Sequence, residues 1–204
     1  MNRFLGLLVG GVMFFAANAS WAQTADDIKK VENYLNNIKG LEADFVQMAS
    51  NGASAEGKIH IKKPKQIRME YKAPMDVLIV GDGEFVVYND KELDQVTHID
   101  YDDIPATIIL SDEIKIDGNT LKVSDFYKDA GVTSLTINHK NKDVSPIKLV
   151  FNNEPFELKQ WSVVDPQSVE ITVSLYELKT DVDLDDGLFK FKDKKKSPLK
   201  YKNR

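Results

Sequence analysis

Cysteine is absent from this chain of 204 residues. No disulfide can brace it, so the folded form must rest on a hydrophobic core. Beyond the first 22 residues no apolar run is long enough to cross a bilayer, which takes about 20 residues. Positive charge is not in excess: the net charge is −5 and the pI near 5.3, which argues against nucleic-acid binding as the main role. Histidine is scarce, and His60, His98 and His139 show no H-E-x-x-H or other ligand spacing. No G-x-S-x-G elbow is present, which excludes a serine esterase of that type. Asp181, Asp183, Asp185 and Asp186 resemble a calcium loop, but the sixth and twelfth positions hold Asp186 and Lys192 where an EF-hand needs Gly and Glu. Gly81-Asp82-Gly83 reads as a hairpin turn, too short to cradle a phosphate. The chain is therefore read as a non-enzyme, with no metal and no cofactor.

The first 22 residues read as a secretory signal peptide. Arg3 supplies the positive start, Phe4–Ala17 is apolar, and Ser20-Trp21-Ala22 places small residues at −3 and −1 of a cleavage site. Cleavage after Ala19 is the alternative, and a retained anchor is disfavoured by the short apolar run. No cysteine follows that run, so no lipid attachment is expected. Residues 23–204 then form a single exported domain.

The central stretch runs from Gly57 to Leu110. Within it Ile67, Met69 and Tyr71 alternate with Gln66, Arg68, Glu70 and Lys72, the period of a half-buried strand. Pro64 and Pro74 bracket it, where a proline costs no ladder bond. Lys58–Lys62, Val77–Val80, Glu84–Tyr88 and Gln95–Ile99 complete an antiparallel meander. Leu41–Met48 precedes it, and Asn51–Glu56 reads as a loop. Further strands are expected at Glu113–Ile116, Thr133–His139, Ile147–Phe151, Glu157–Val163 and Val169–Leu178, with Leu188–Phe191 as a possible last one.

Helix is confined to Thr24–Lys39, where Ile28, Val31, Leu35 and Ile38 form one stripe. Thr24 with Asp27 resembles a capping box, and Gly40 falls at the C-terminal cap. The pattern predicts a mainly β fold: an incomplete, open antiparallel β-barrel of about 10–11 strands, because long twisted sheets curl. Its cover is the helix and the apolar segment Ile104–Leu110, a lid over an apolar hollow. Alternation assigns the lining to Phe45, Ile59, Ile61, Ile67, Met69, Tyr71, Val77, Ile79, Phe85, Val87, Ile108 and Leu110. The tail from Lys190 to Arg204 is strongly basic and reads as a solvated tail or as weak attraction to an anionic membrane.

Ala43-Asp44-Phe45-Val46-Gln47 resembles the opening strand of the outer-membrane lipoprotein carrier (LolA) family. So do Gly57 through Tyr71, Pro74, Val80-Gly81-Asp82-Gly83, Tyr88, Gln95-Val96-Thr97, Asp165-Pro166 and Leu184…Leu188-Phe189-Lys190-Phe191, in the family's order. The resemblance implies a monomeric periplasmic chaperone. Such a protein takes acylated lipoproteins from an inner-membrane lipoprotein-releasing ABC transporter, holds their acyl chains in the hollow, and passes them to an outer-membrane acceptor or to the membrane itself. A lipid or lipoprotein sensor on the same fold is the alternative. The resemblance also implies a latch, an arginine just before the strand proline that holds the lid shut. Lys63 stands at that position and lacks the planar fork. It is the latch candidate, with Arg68 as the nearest arginine. Full burial of two or three acyl chains at about 0.8 kcal/mol per CH₂ would exceed the roughly −18 to −21 kcal/mol ceiling of non-covalent binding. A closed, empty lid must therefore compete with the cargo.

Overall fold

The computed structural model describes residues 18–116, 118–140 and 143–192, with residues 18–23 as backbone only. The predicted leader up to Ala17 and the basic tail beyond Lys192 lie outside the described residues. Helix α1 (Asn18–Asn37) is followed by β1 (Gly40–Ala49), β2 (Ser54–Lys62), β3 (Gln66–Tyr71), β4 (Val77–Asp82), β5 (Val86–Asp90) and β6 (Gln95–Ile99). A covering segment then carries two 3₁₀ helices, Tyr101–Asp103 and Pro105–Leu110. Strands β7 (Leu121–Lys128), β8 (Val132–His139), β9 (Ile147–Asn153), β10 (Phe156–Val164) and β11 (Glu170–Thr180) follow, and a third 3₁₀ helix spans Asp186–Phe189.

All eleven strands belong to one antiparallel sheet, in the order β6-β5-β4-β3-β2-β1-β11-β10-β9-β8-β7. The chain meanders outward to β6, crosses to β7 at the opposite edge, and meanders back until β11 pairs with β1. The two edge strands do not pair, so the barrel is open as predicted. Residues 100–120 connect one free edge to the other, and the Pro105–Leu110 helix (the lid helix) sits on that connection.

The element boundaries differ from expectation for identifiable reasons. Helix α1 (Asn18–Asn37) reaches back into the predicted leader and ends at Asn37. Gly40 is not its cap but the first residue of β1, where a Cβ would lie 2.0 Å from the Val182 carbonyl oxygen. Strand β2 begins at Ser54, within the predicted loop. Glu113–Ile116 is not a strand. The Ile114 N–H donates to Asn36 Oδ1 at 2.8 Å, Asn36 Nδ2 donates back to the Ile114 carbonyl at 2.9 Å, and the Ile116 N–H donates to Glu32. Helix side chains thus take the place of a neighbouring strand. Leu121–Lys128 escaped sequence reading because a bulge between Val123 and Asp125 breaks its alternation. Leu188–Phe191 is no strand either; Leu188 and Phe189 lie in the third 3₁₀ helix. No described helix is long and apolar enough to cross a membrane.

Candidate functional site

The site is the face of the sheet turned toward α1 and the lid helix. Pairing places Ala43, Ile59, Met69, Ile79 and Tyr88 in one row across β1–β5, and Leu41, Ile61, Ile67, Gly81 and Val86 in the next. Phe45, Gly57 and Tyr71 form a third row, with the Phe45 and Tyr71 rings edge to face at 5.0 Å. The Tyr71 hydroxyl donates to Gln47 Oε1 at 2.8 Å, which satisfies the polar end of a ring otherwise in apolar surroundings. Burial raises its pKa. The other half of the wall comes from β8–β11, where Leu135, Ile137, Ile147, Leu149, Phe151, Leu158, Trp161, Val173 and Leu175 are all buried. Val31 and Leu35 of α1 and Ile108, Ile109 and Leu110 of the lid helix join these residues in one continuous core. Helix α1 and the 105–110 helix thus pack directly on this face of the sheet.

A single turn holds both covers. Between β2 and β3, Lys63 Nζ donates to the Leu35 carbonyl at 2.7 Å, and the Lys63 N–H donates to the Lys39 carbonyl at 2.9 Å. Leu35 lies in the last turn of α1, whose carbonyls lack helical partners, so the cation caps that end. Two residues on, the Lys65 N–H donates to the Leu110 carbonyl at 2.9 Å, and the Lys65 carbonyl accepts from the Tyr101 hydroxyl. That hydroxyl also accepts from the Gly83 N–H at 3.1 Å. Lys65, at φ 60, thus clasps the covering segment near both ends of Tyr101–Leu110. Thr107 Oγ1 bonds the Tyr101 and Ile104 carbonyls and stiffens the piece between. Gly81 leaves room for the clasp, since a Cβ there would lie 2.4 Å from the Tyr101 hydroxyl oxygen.

Lys63 is the most perturbed cation of the site. Burial, reinforced by the nearby Lys39 ammonium and partly opposed by Asp112, lowers its pKa to about 8. Burial likewise raises Tyr101. Helix α1 has further anchors. The Tyr34 hydroxyl accepts from the Leu158 N–H at 3.0 Å, and its ring packs edge to face against Phe151 and Phe156. Lys128 pairs with Asp27 at 2.6 Å.

Of the residues assigned to the lining, Phe45, Ile59, Ile61, Ile67, Met69, Tyr71, Val77 and Ile79 share the inner face, and Ile108 and Leu110 are buried in the lid helix. Two belong elsewhere. Val87 pairs with Val80 and His98 and points to the outer face, and Phe85 precedes β5, 40% exposed, with its ring against His98. The run Phe85-Val86-Val87-Tyr88 is apolar throughout, so alternation could not set its phase; Val86 and Tyr88 are the inward pair. Ile109, also buried, was missed for the same reason.

Arg68 lies on the outer face too, where it pairs with Glu70 and donates to the Leu188 carbonyl at 2.9 Å. It touches no part of the lid and instead holds the C-terminal segment, whose Phe189 is fully buried and whose 3₁₀ helix packs on β3 and β4. His60, on the same face, faces Glu42 at 3.5 Å, and burial lowers its pKa. Among the described residues no group of side chains could hold a metal ion.

The family model described as outer membrane lipoprotein carrier protein LolA matches residues 36–192. The outer-membrane lipoprotein carrier protein of Pasteurella multocida is 25% identical over 202 residues, covering 94% of this chain and 93% of that one. An uncharacterized protein of Rickettsia prowazekii is 25% identical over 173 residues, covering 85% of this chain and 80% of its own length. Among solved structures, a LolA superfamily protein from Nitrosomonas europaea overlays with a TM-score of 0.47 at 9% identity, covering 80% of this chain and 97% of that one.

Proposed function

The chain belongs to the outer membrane lipoprotein carrier (LolA) family, and on that footing we propose that it is a periplasmic carrier whose inner sheet face takes the acyl chains of lipoproteins in place of its own lid. It receives them from a lipoprotein-releasing ABC transporter of the inner membrane. It delivers them to an outer-membrane acceptor or to the membrane itself. Its role is transfer without chemistry. The observation that carries this reading is the clasp. Ile108, Ile109 and Leu110 are buried against the wall, and the backbone and hydroxyl bonds at Lys65 tie that segment down. Helix α1 is fixed by Lys63, Tyr34, Asn36, Glu32 and Asp27, so the lid helix is the cover that yields.

Magnitudes support a reversible exchange. Burying an Ile or Leu side chain contributes about 1.5–3 kcal/mol, so the three lid residues together contribute roughly 5–9 kcal/mol. An acyl chain of about 14 methylenes contributes ~11 kcal/mol when fully buried. A cargo chain that displaces the lid therefore gains only the difference, and the complex stays within reach of release. The test is release of lipoproteins from inner-membrane vesicles containing the transporter and ATP. A carrier brings them into the soluble fraction in complex with itself; a protein that only senses lipid leaves them in the vesicles.

A further inference from the structure

The segment that follows β11 runs over the outer face of the sheet. It turns out of the strand at Asp181, with φ 59, and meets β1, β2 and β3 in order. At β1 the Val182 carbonyl oxygen takes the place a Cβ on Gly40 would occupy. At β2 Lys62 Nζ donates to the Leu184 carbonyl at 2.8 Å and to Asp186 Oδ1 at 2.5 Å. At β3 Arg68 donates to the Leu188 carbonyl at 2.9 Å. Leu184 is buried and Phe189 fully so. Each of these polar ties comes from a sheet side chain, so the segment can lift without breaking the strand ladder.

Lys62 is also the residue before Lys63. It reaches outward to the segment, while Lys63 reaches inward to the Leu35 carbonyl on α1 and Lys65 bonds Leu110 of the lid helix. One turn, residues 62–65, thus joins the outer segment to both inner covers. We propose that the segment from Val182 to Lys190 is a strap that governs the lid: seated, it holds the turn and keeps the Leu110 clasp closed; lifted, it frees the turn and lets the lid helix open more often. The cause is ordering. A turn pinned from both faces has already lost the backbone freedom that closing the clasp otherwise costs. Helix α1 keeps its bonds through Tyr34, Asn36 and Glu32 when the strap lifts, so the lid helix is the element that responds. Coupling is reciprocal, and an open lid loosens the strap by the same factor. The lid is therefore opened from the outer face with no contact to the inner wall. The inference does not rest on the carrier reading, because it concerns the empty protein.

The test is native-state hydrogen exchange of the cargo-free chain, read as the ratio of two amide rates. The Lys65 amide donates to Leu110 and reports the lid; the Leu158 amide donates to Tyr34 on α1 and serves as reference. Asp186→Ala with Arg68→Met removes two strap ties and leaves residues 62–65 intact. Phe189→Ala removes the buried anchor and is the harsher second variant. Each should raise the ratio roughly fivefold or more. In the other direction, Tyr101→Phe should speed exchange at the Leu188 amide, which donates to the Asp185 carbonyl inside the strap. Urea titration sets the range in which all three variants stay folded. An unchanged ratio in both strap variants, as general destabilisation would give, overturns the proposal. So does a Tyr101→Phe variant that speeds Lys65 and leaves Leu188 at its wild-type rate. Because no lipoprotein is present, none of these outcomes bears on cargo transfer.

Discussion

The ammonium of Lys63 lies 2.7 Å from the carbonyl oxygen of Leu35, so the tip of one hairpin caps the helix that covers the sheet. Burial lowers the lysine to a pKa of about 8, against an unperturbed value of about 10.4. A base whose folded pKa is depressed binds fewer protons in the folded state than in the unfolded state between those two values. Stability therefore rises with pH across that window, and the burial of the Lys63 charge costs most at and below pH 8. The neutral amine keeps its hydrogen bond. We predict that wild type gains stability relative to Lys63→Met between about pH 8 and pH 10 in urea titrations. Above that, buried tyrosines such as Tyr71 and Tyr101, raised in pKa, pull stability down in both proteins. Near pH 7 the two should agree within about 1 kcal/mol, since the lost hydrogen bond and the relieved burial of charge oppose each other. A parallel pH profile for both proteins would remove Lys63 from this role.

Tyr101→Phe deletes the hydroxyl shared by Gly83 and Lys65. Two backbone groups lose their partner, at a cost of about 1–3 kcal/mol. The covering segment should open more often, seen as faster hydrogen exchange at the Lys65 amide and as increased uptake of an apolar fluorescent dye. Unchanged exchange at Lys65 would mean the clasp depends on other contacts.

Gly81→Ala places a methyl against both the Tyr101 hydroxyl and Ile67 Cγ2, the latter at 2.8 Å. Strand β4 should survive, because alanine is tolerated there, while the start of the covering segment is pushed away. The expected loss is about 1–3 kcal/mol, as for overpacking, with dye uptake raised as in Tyr101→Phe. A variant as closed as wild type would show that the segment shifts without releasing the lid.

The two faces of the sheet should separate in mutation. Met69→Ser lies on the inner wall and Val87→Ser on the outer face, both buried. Each should cost roughly 2–4 kcal/mol of stability. The inner change alone should reduce lipoprotein uptake measured under conditions where both variants are fully folded. Equal loss of uptake would place cargo on both faces or on neither.

The antiparallel meander, the helix stripe and the greasy 104–110 segment were legible because each keeps a clear period or composition. Strict alternation set the face of Ile67, Met69 and Tyr71 correctly. It failed at Phe85–Tyr88, where every residue is apolar and phase comes only from pairing with β4. It failed again at β7, where a bulge shifts the register, and at Ile114, whose partners are side chains on a helix far away in sequence. Position before Pro64 pointed to Lys63, yet the clasp of the lid helix is backbone and hydroxyl at Lys65 and Tyr101. Backbone groups leave no trace in residue type. Arg68 was an attractive latch by proximity, but its strand neighbours place it on the outer face.

The most direct test asks where an acyl chain sits. A photo-cross-linking residue at Ile79 or Tyr88, on the inner wall, and one at Val96, on the outer face, would each be exposed to lipoprotein released from inner-membrane vesicles. The account predicts cross-links to cargo from Ile79 and Tyr88 and none from Val96. Cross-links from Val96 alone would contradict it.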